Sequence, residues 1–336
     1  MKPRLRAALL ICLCLAAGCA ATASGTPIPP ASTTAGAPDS PAGDASPATP
    51  PEDSPAGVTG RSFDAIAYAN VSPAQRLDLR LPAHGEGPFP LVVFIHGGAW
   101  ERGERAVGPG SIVWPLVDAG IAVASIDYRF SQEAVFPAQI QDVEAAIRFL
   151  RSQAATYHLD GSHIGVWGDS AGGHLAVLAG TASDIATFND PRLGNPDVSA
   201  RVSAVVDWFG PSDLSTFDAQ LAADGCTKRI AAPTSAESRL IGGSVAAQPD
   251  KARTASPVTY VTADDPDILI QHGRADCVVP WQQSDELAHI YAQVAGANRA
   301  TVDLLDQAGH GGAHFSEPTN IARVVAFFTA RLRTDS

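Results

Sequence analysis

Positive charge is scarce in this chain. Its 336 residues hold 23 Lys and Arg against 35 Asp and Glu, a formal charge of −12. No basic surface is available to release counterions from a phosphate backbone, so nucleic acid is excluded as a partner. Metal-binding patterns are missing as well: there is no H-E-x-x-H and no Cys/His cluster at ligand spacing, so no metal is expected. No G-x-G-x-x-G follows a strand-like run and the Walker pattern is absent, so no nucleotide and no other cofactor is expected. No internal repeat is visible. The apolar run at residues 7–17 is too short to span a bilayer.

That run follows Lys2, Arg4 and Arg6, and the combination reads as a secretory signal over residues 1–19. Two cleavage readings stay open. Ala16-Ala17-Gly18-Cys19 resembles a bacterial lipobox, which would make Cys19 a lipidated first residue and the anchor its only membrane contact. The usual leucine three places before the cysteine is Ala16 here. Ordinary cleavage after Ala21-Thr22-Ala23 is the alternative, giving a secreted or periplasmic protein. Cysteine is equally sparse. Cys12 and Cys14 leave with the signal, so Cys226 and Cys277 remain as an even pair in an oxidising compartment, and a disulfide between them is predicted.

Residues 20–57 are Ala, Pro, Ser, Thr and Gly with almost no large apolar side chain. Nothing there offsets the entropy of ordering, so the segment reads as a linker reaching about 30–35 Å. The folded domain is expected over 58–336. Residues 63–68 and 76–81 alternate apolar and polar and predict an entry hairpin. Residues 91–95 form a continuous apolar run, and with 121–126, 164–167, 202–209, 268–271 and 300–305 they read as strands. Helices are predicted at 112–119, 137–157, 282–295 and 317–333. Residues 211–257 break the rhythm and read as a small cap-like insertion over the sheet. Strands alternating with helices mean an α/β architecture: a mostly parallel sheet wound on both faces.

One stretch organises the rest. The strand-like Ile164–Trp167 runs into Gly168-Asp169-Ser170-Ala171-Gly172, and a helix-forming run follows. Strand, glycine-flanked turn and helix form the setting of a nucleophile elbow, with Ser170 at its tip. A serine needs a base, and the base needs an orienting acid. Asp276 lies just past the 268–271 strand, where such sheets place their sites. Asp267 is at the wrong end of that strand, and Asp285 falls inside the next helix. His310 follows the last strand between glycines, with His314 as the competitor four residues on. His96-Gly97-Gly98-Ala99-Trp100 follows the 91–95 strand. Its Gly98 and Ala99 amides, with Gly97 as near alternative and Ala171 beside the serine, are the expected oxyanion hole. Trp100, Trp208 and Trp281 all fall at the same end of the sheet. They are core residues by default, and a lining role in a substrate pocket is the competing expectation.

HGGAW, Asp127-Tyr128-Arg129, Phe136-Pro137-Ala138 with Asp142, GDSAGGH, Gly210-Pro211-Ser212-Asp213-Leu214, HGRADCVVP and GHGG occur together and in order. The chain thereby resembles α/β-hydrolase esterases of the BD-FAE-like group, near the hormone-sensitive-lipase-like and arylformamidase-like branches. The resemblance covers roughly 60–333. It implies an α/β-hydrolase fold with an eight-stranded sheet and an insertion after strand 6. It also implies a serine carboxylesterase using Ser170, Asp276 and His310 on a small-molecule or polysaccharide-linked ester. Ala99 stands where hormone-sensitive-lipase relatives usually have a third glycine, and a linker replaces their N-terminal cap helices. The first puts a preference for bulky esters in doubt, and the second suggests a more open site. An amidase, formamidase or peptidase of the same fold is the alternative, and a non-catalytic binding protein the more distant one.

Overall fold

The computed structural model describes residues 62–183 and 185–332. The expected signal, Cys19, the linker and the domain start at 58 lie outside them. Among the described residues, eight strands form one sheet: β1 (Ser62–Ala67), β2 (Arg76–Arg80), β3 (Phe89–Ile95), β4 (Ala122–Ile126), β5 (Leu159–Asp169), β6 (Ala204–Trp208), β7 (Asp267–Gly273) and β8 (Ala300–Leu305). Their spatial order is 1-2-4-3-5-6-7-8. The β1–β2 hairpin joins the sheet antiparallel through β4, and every later pair is parallel.

Helices follow from the connections that parallel strands require. They are α1 (Trp114–Asp118), α2 (Ala138–Ser152), α3 (Ala171–Thr181), α4 (Phe217–Ala223), α5 (Ala236–Leu240), α6 (Pro249–Thr254), α7 (Gln282–Val294), α8 (Ala313–Ser316) and α9 (Pro318–Arg331). Successive strand residues point to opposite faces, and both faces are apolar. Leu91, Val93 and Ile95 of β3 enter one layer with Ile140 and Val143 of α2 and Leu175 and Leu178 of α3. Val92 of β3 enters the other, with Leu116 of α1 and Ile321, Val324 and Phe328 of α9. Gly165 lets α9 approach, because a Cβ there would stand 2.6 Å from the Phe328 ring.

Several elements differ in length from expectation, among them the helix expected over 137–157, which is Ala138–Ser152. The helix expected over 112–119 is only α1, which begins with Pro115 in its first turn and stops before Gly120 at φ +87°. β5 starts at Leu159 rather than 164, because Leu159 pairs with Phe89 of β3 across an irregular register that the polar Gly161 and Ser162 conceal. Between β6 and β7 the segment read as an insertion carries α4, α5 and α6.

The insertion is fixed at several points. Cys226 is disulfide-bonded to Cys277, 51 residues on. Lys228 Nζ donates to the Val278 carbonyl at 2.9 Å. The Arg239 guanidinium of α5 pairs with the Glu101 carboxylate, one contact being 2.8 Å from Nη2 to Oε2. Gln283 Oε1 of α7 accepts from the Ser212 and Asp213 amides at 2.8 and 2.7 Å. A loop of the disulfide's span contributes up to about 4 kcal/mol by chain entropy. Replacing Cys226 and Cys277 together by Ser is therefore expected to lower the thermal midpoint by several degrees. An unchanged midpoint by calorimetry would show that the bond adds no stability.

Candidate active site

Ser170 sits between β5 and α3 with φ 53° and ψ −118°, a strained conformation for a residue with a Cβ. Two glycines make the turn fit. A Cβ on Gly168 would lie 2.1 Å from the Gly172 carbonyl oxygen, and one on Gly172 would lie 1.9 Å from that of Ile95. The end of β6 supports the turn, its Trp208 carbonyl accepting the Ser170 amide at 2.8 Å. The first N–H groups of α3 therefore gather around the serine.

The two other expected partners reach it from neighbouring strand ends. His310 Nε2 lies 2.9 Å from Ser170 Oγ, and His310 Nδ1 lies 2.6 Å from Asp276 Oδ2. With Asp276 ionised, Nδ1 carries the proton and Nε2 is free to accept from the hydroxyl. The loops bearing these residues are tied together, since the Ala275 amide donates to Ala308 at 2.9 Å and the Arg274 amide to Leu305 at 3.0 Å. Asp276 is buried. Burial alone would raise its carboxyl, but contacts from His272 and His310 outweigh that and hold it well below the usual carboxylate range. Its Oδ1 accepts the Val278 and Val279 amides at 2.7 and 3.0 Å. The competitors stand apart: His314 faces Glu317 at half exposure, and Asp267 pairs with Arg299 and Arg331.

The loop after β3 carries Gly98 at φ +110°, Ala99 at +59° and Trp100 at +56°. A Cβ on Gly98 would stand 2.0 Å from the Arg102 carbonyl oxygen. Among the described residues, no hydrogen bond engages the amides of Gly98, Ala99 or Ala171. Gly97 differs from the expectation. Its amide donates to Asp169 Oδ1 at 3.1 Å, so it anchors the loop to the elbow and is not a free donor.

The three tryptophans do not gather over the serine. Trp100 turns inward on its positive φ, is 2% exposed, and donates from Nε1 to His174 Nδ1 at 3.2 Å. His174 Nε2–H in turn donates to the Ala255 carbonyl at 2.7 Å. Burial pushes the His174 imidazole down to about 4, against the opposing effect of that bond, so it stays neutral and accepting. Trp208 follows the strand alternation into the layer beneath, against Trp167 and Phe315. Trp281 lies under the Arg274 guanidinium, 5.1 Å from its ring. The aromatic that does touch the group is Phe209, whose ring centroid is 4.7 Å from that of His310. Sequence reading passes over it because a strand pattern continued from Trp208 assigns it to the opposite face. Its φ of +44° breaks that pattern.

These motifs extend across the domain. The BD-FAE family model matches residues 77–291. The chain belongs to the BD-FAE family. It is 33% identical to esterase LipC of Mycobacterium tuberculosis over 246 residues, covering 71% of this chain and 57% of that protein. It is 31% identical to the probable carboxylic ester hydrolase LipM of the same organism, covering 68% and 52%. The chain thus spans little more than half the length of these curated relatives. A solved truncated form of a carbohydrate esterase from gut microbiota superposes with TM-score 0.73 at 35% identity, covering 82% of this chain and 98% of that one. Esterase 2 of Thermogutta terrifontis superposes with TM-score 0.61 at 23% identity, a likeness of fold.

One buried acid in this BD-FAE domain lies beneath the elbow. Asp207 of β6 is paired in register with Gly168. Its Oδ1 accepts the Gly210 amide at 2.9 Å, and its Oδ2 has no partner. Burial raises its carboxyl to about 7, against the lowering effect of the Gly210 amide. Between about pH 4 and about pH 7 the unfolded chain has therefore lost a proton that the folded chain keeps, and this group makes stability fall as pH rises. Asp207→Asn should remove that slope and stabilise the protein at pH 8 by about 2–4 kcal/mol. Urea unfolding at several pH values checks this, and parallel pH profiles for the two proteins would refute it.

Proposed function

We propose that this chain is an exported carboxylic ester hydrolase that works through a covalent acyl-enzyme. The observation that carries the reading is the continuous relay from Ser170 Oγ through His310 to Asp276, at 2.9 and 2.6 Å. It starts from a serine held strained at the head of a buried helix. His310 Nε2 takes the hydroxyl proton as Oγ attacks the ester carbonyl. The amides of Gly98, Ala99 and Ala171 receive the oxyanion, each typically contributing about 3–4 kcal/mol to the transition state. The tetrahedral intermediate then expels the alcohol, which takes the proton from His310. Water, deprotonated by the same imidazole, attacks the acyl-serine and releases the acid. Asp276 holds the Nδ1–H tautomer and stabilises the imidazolium. Asp169 serves the hole indirectly by holding the Gly97 amide.

For the substrate we propose an acyl ester on a carbohydrate. The support is the 35% identical truncated form of a carbohydrate esterase, 98% of whose chain is covered. A bifunctional GH43-CE protein of Bacteroides eggerthii also supports it, at 34% identity and TM-score 0.72 over 84% of this chain and 36% of that one. Export is supported by the basic-then-apolar residues 2–17 and agrees with a disulfide in the folded domain.

The test is a panel of acetyl, butyryl, octanoyl and feruloyl esters, each on a sugar and on a simple alcohol. Ser170→Ala should lose at least about a thousandfold in kcat on every substrate, with sugar esters preferred in kcat/KM by the wild type. An alanine variant as active as wild type refutes the mechanism, and equal rates on both alcohols refute the carbohydrate assignment. Activity should also fall towards acid, because a protonated imidazole cannot act as base. A rate flat between about pH 8 and about pH 4 would count against His310 in that role.

A further inference from the structure

We propose that His272 is a positioning residue for this site: a second imidazole, whose Nε2–H braces the Asp276 carboxylate and so fixes the orientation of His310. This rests on the reading of Ser170, His310 and Asp276 as a triad.

His272 lies on β7, fully buried, four residues before the acid. Its Nε2 is 3.0 Å from the Val279 carbonyl oxygen. A carbonyl only accepts, so Nε2 bears a proton in either charge state of the ring. Its Nδ1 is 2.6 Å from Ser284 Oγ on α7, whose hydroxyl can donate to it. The same Nε2 stands 3.3 Å from Asp276 Oδ2, the oxygen that receives His310 Nδ1 at 2.6 Å. Asp276 Oδ1 is occupied by the Val278 and Val279 amides. The carboxylate therefore meets N–H groups on both oxygens. It cannot turn about its Cβ–Cγ bond without leaving buried donors unpaired, at a cost well above that of an ordinary lost hydrogen bond.

Two consequences separate this role from simple packing. Without the Nε2 group the carboxylate keeps the two amides on Oδ1 but loses one of the two N–H groups at Oδ2, so the oxygen that aims His310 at Ser170 is held less firmly. The negative charge of Asp276, no longer shared with His272, also falls more fully on the His310 ring. The groups facing His272 are Asp276 on its own loop, Ser284 of α7, the Val279 carbonyl and, on the β6 side, the Phe209 ring at 6.4 Å. Those facing His310 are Asp276, Ser170 and Phe209, with the Asp169 charge nearby.

The experiment compares His272→Asn with His272→Gln. Asparagine places its amide near the Nδ1 position, towards Ser284, and lacks the second donor. Glutamine restores an N–H near the Nε2 position. His272→Asn should lower kcat by about 10- to 100-fold, a range set by the cost of misplacing a reacting group. KM should stay within about twofold, and the acid limb of the pH–rate profile should move to higher pH. His272→Gln should recover most of kcat and return the limb. An Asn variant with wild-type kcat and limb, or a Gln variant as defective as Asn, overturns the proposal. Should either fail to fold, nitrogen-15 NMR of the wild type decides: a proton on His272 Nε2 is required, and an Nδ1–H tautomer overturns it. Ser170→Ala run in parallel separates the two failures. An active alanine variant sinks the triad itself, whereas an inactive one beside a wild-type-like Asn variant sinks only the role of His272.

Discussion

The distance between the Gly172 backbone and the carbonyl of Ile95 is the contact on which the rest depends. Helix α3 can lie against β3 only because no Cβ intervenes. At that separation Asp169 reaches the Gly97 amide, and His174 of α3 reaches the indole of Trp100. The loop after β3 is therefore set by the same helix that begins at Ser170. Any side chain at 172 would move Ser170 and the loop after β3 apart together, because both are referenced to one backbone contact.

The polar groups around this contact are satisfied in an ordered way. His174 gives its one proton to Ala255 and keeps a lone pair for Trp100, which requires a neutral ring and suits a buried one. Asp276 does the opposite. It is buried and charged, and N–H donors surround it. Asp207 has neither solution, with one acceptor oxygen bonded and the other bare. Three buried titratable groups around the elbow are thus set differently: burial keeps His174 neutral and raises Asp207, while the His272 and His310 side chains keep Asp276 charged.

Most of the frame was legible in the sequence, for a physical reason. Where both faces of a parallel sheet are covered, strands appear as apolar runs, and Leu91–Ile95 of β3 and Ile268–Ile270 of β7 could be read that way. Ser170, Asp276 and His310 were legible because each follows a strand. What failed was side-chain direction at strand ends. Trp208 and Phe209 are adjacent and both aromatic, and only a positive φ at Phe209 decides which one meets His310. Trp100 takes the core place that is its default, its own positive φ turning the indole inward. Gly97 has the right residue type and neighbourhood, yet its amide is already taken by a carboxylate 72 residues away. His272 was visible in the HGRADCVVP stretch, but no local spacing announces that its ring folds back on the acid.

The two flanks of the cleft are fastened by bonds of different kinds. On the acid side the insertion is joined covalently, through Cys226 and Cys277. On the oxyanion side it is held by the Arg239–Glu101 pair, whose arginine is largely exposed. Dissolved ions screen the second and leave the first untouched. Raised ionic strength therefore weakens the Arg239–Glu101 tether beside the loop after β3 and leaves the disulfide beside Asp276 intact.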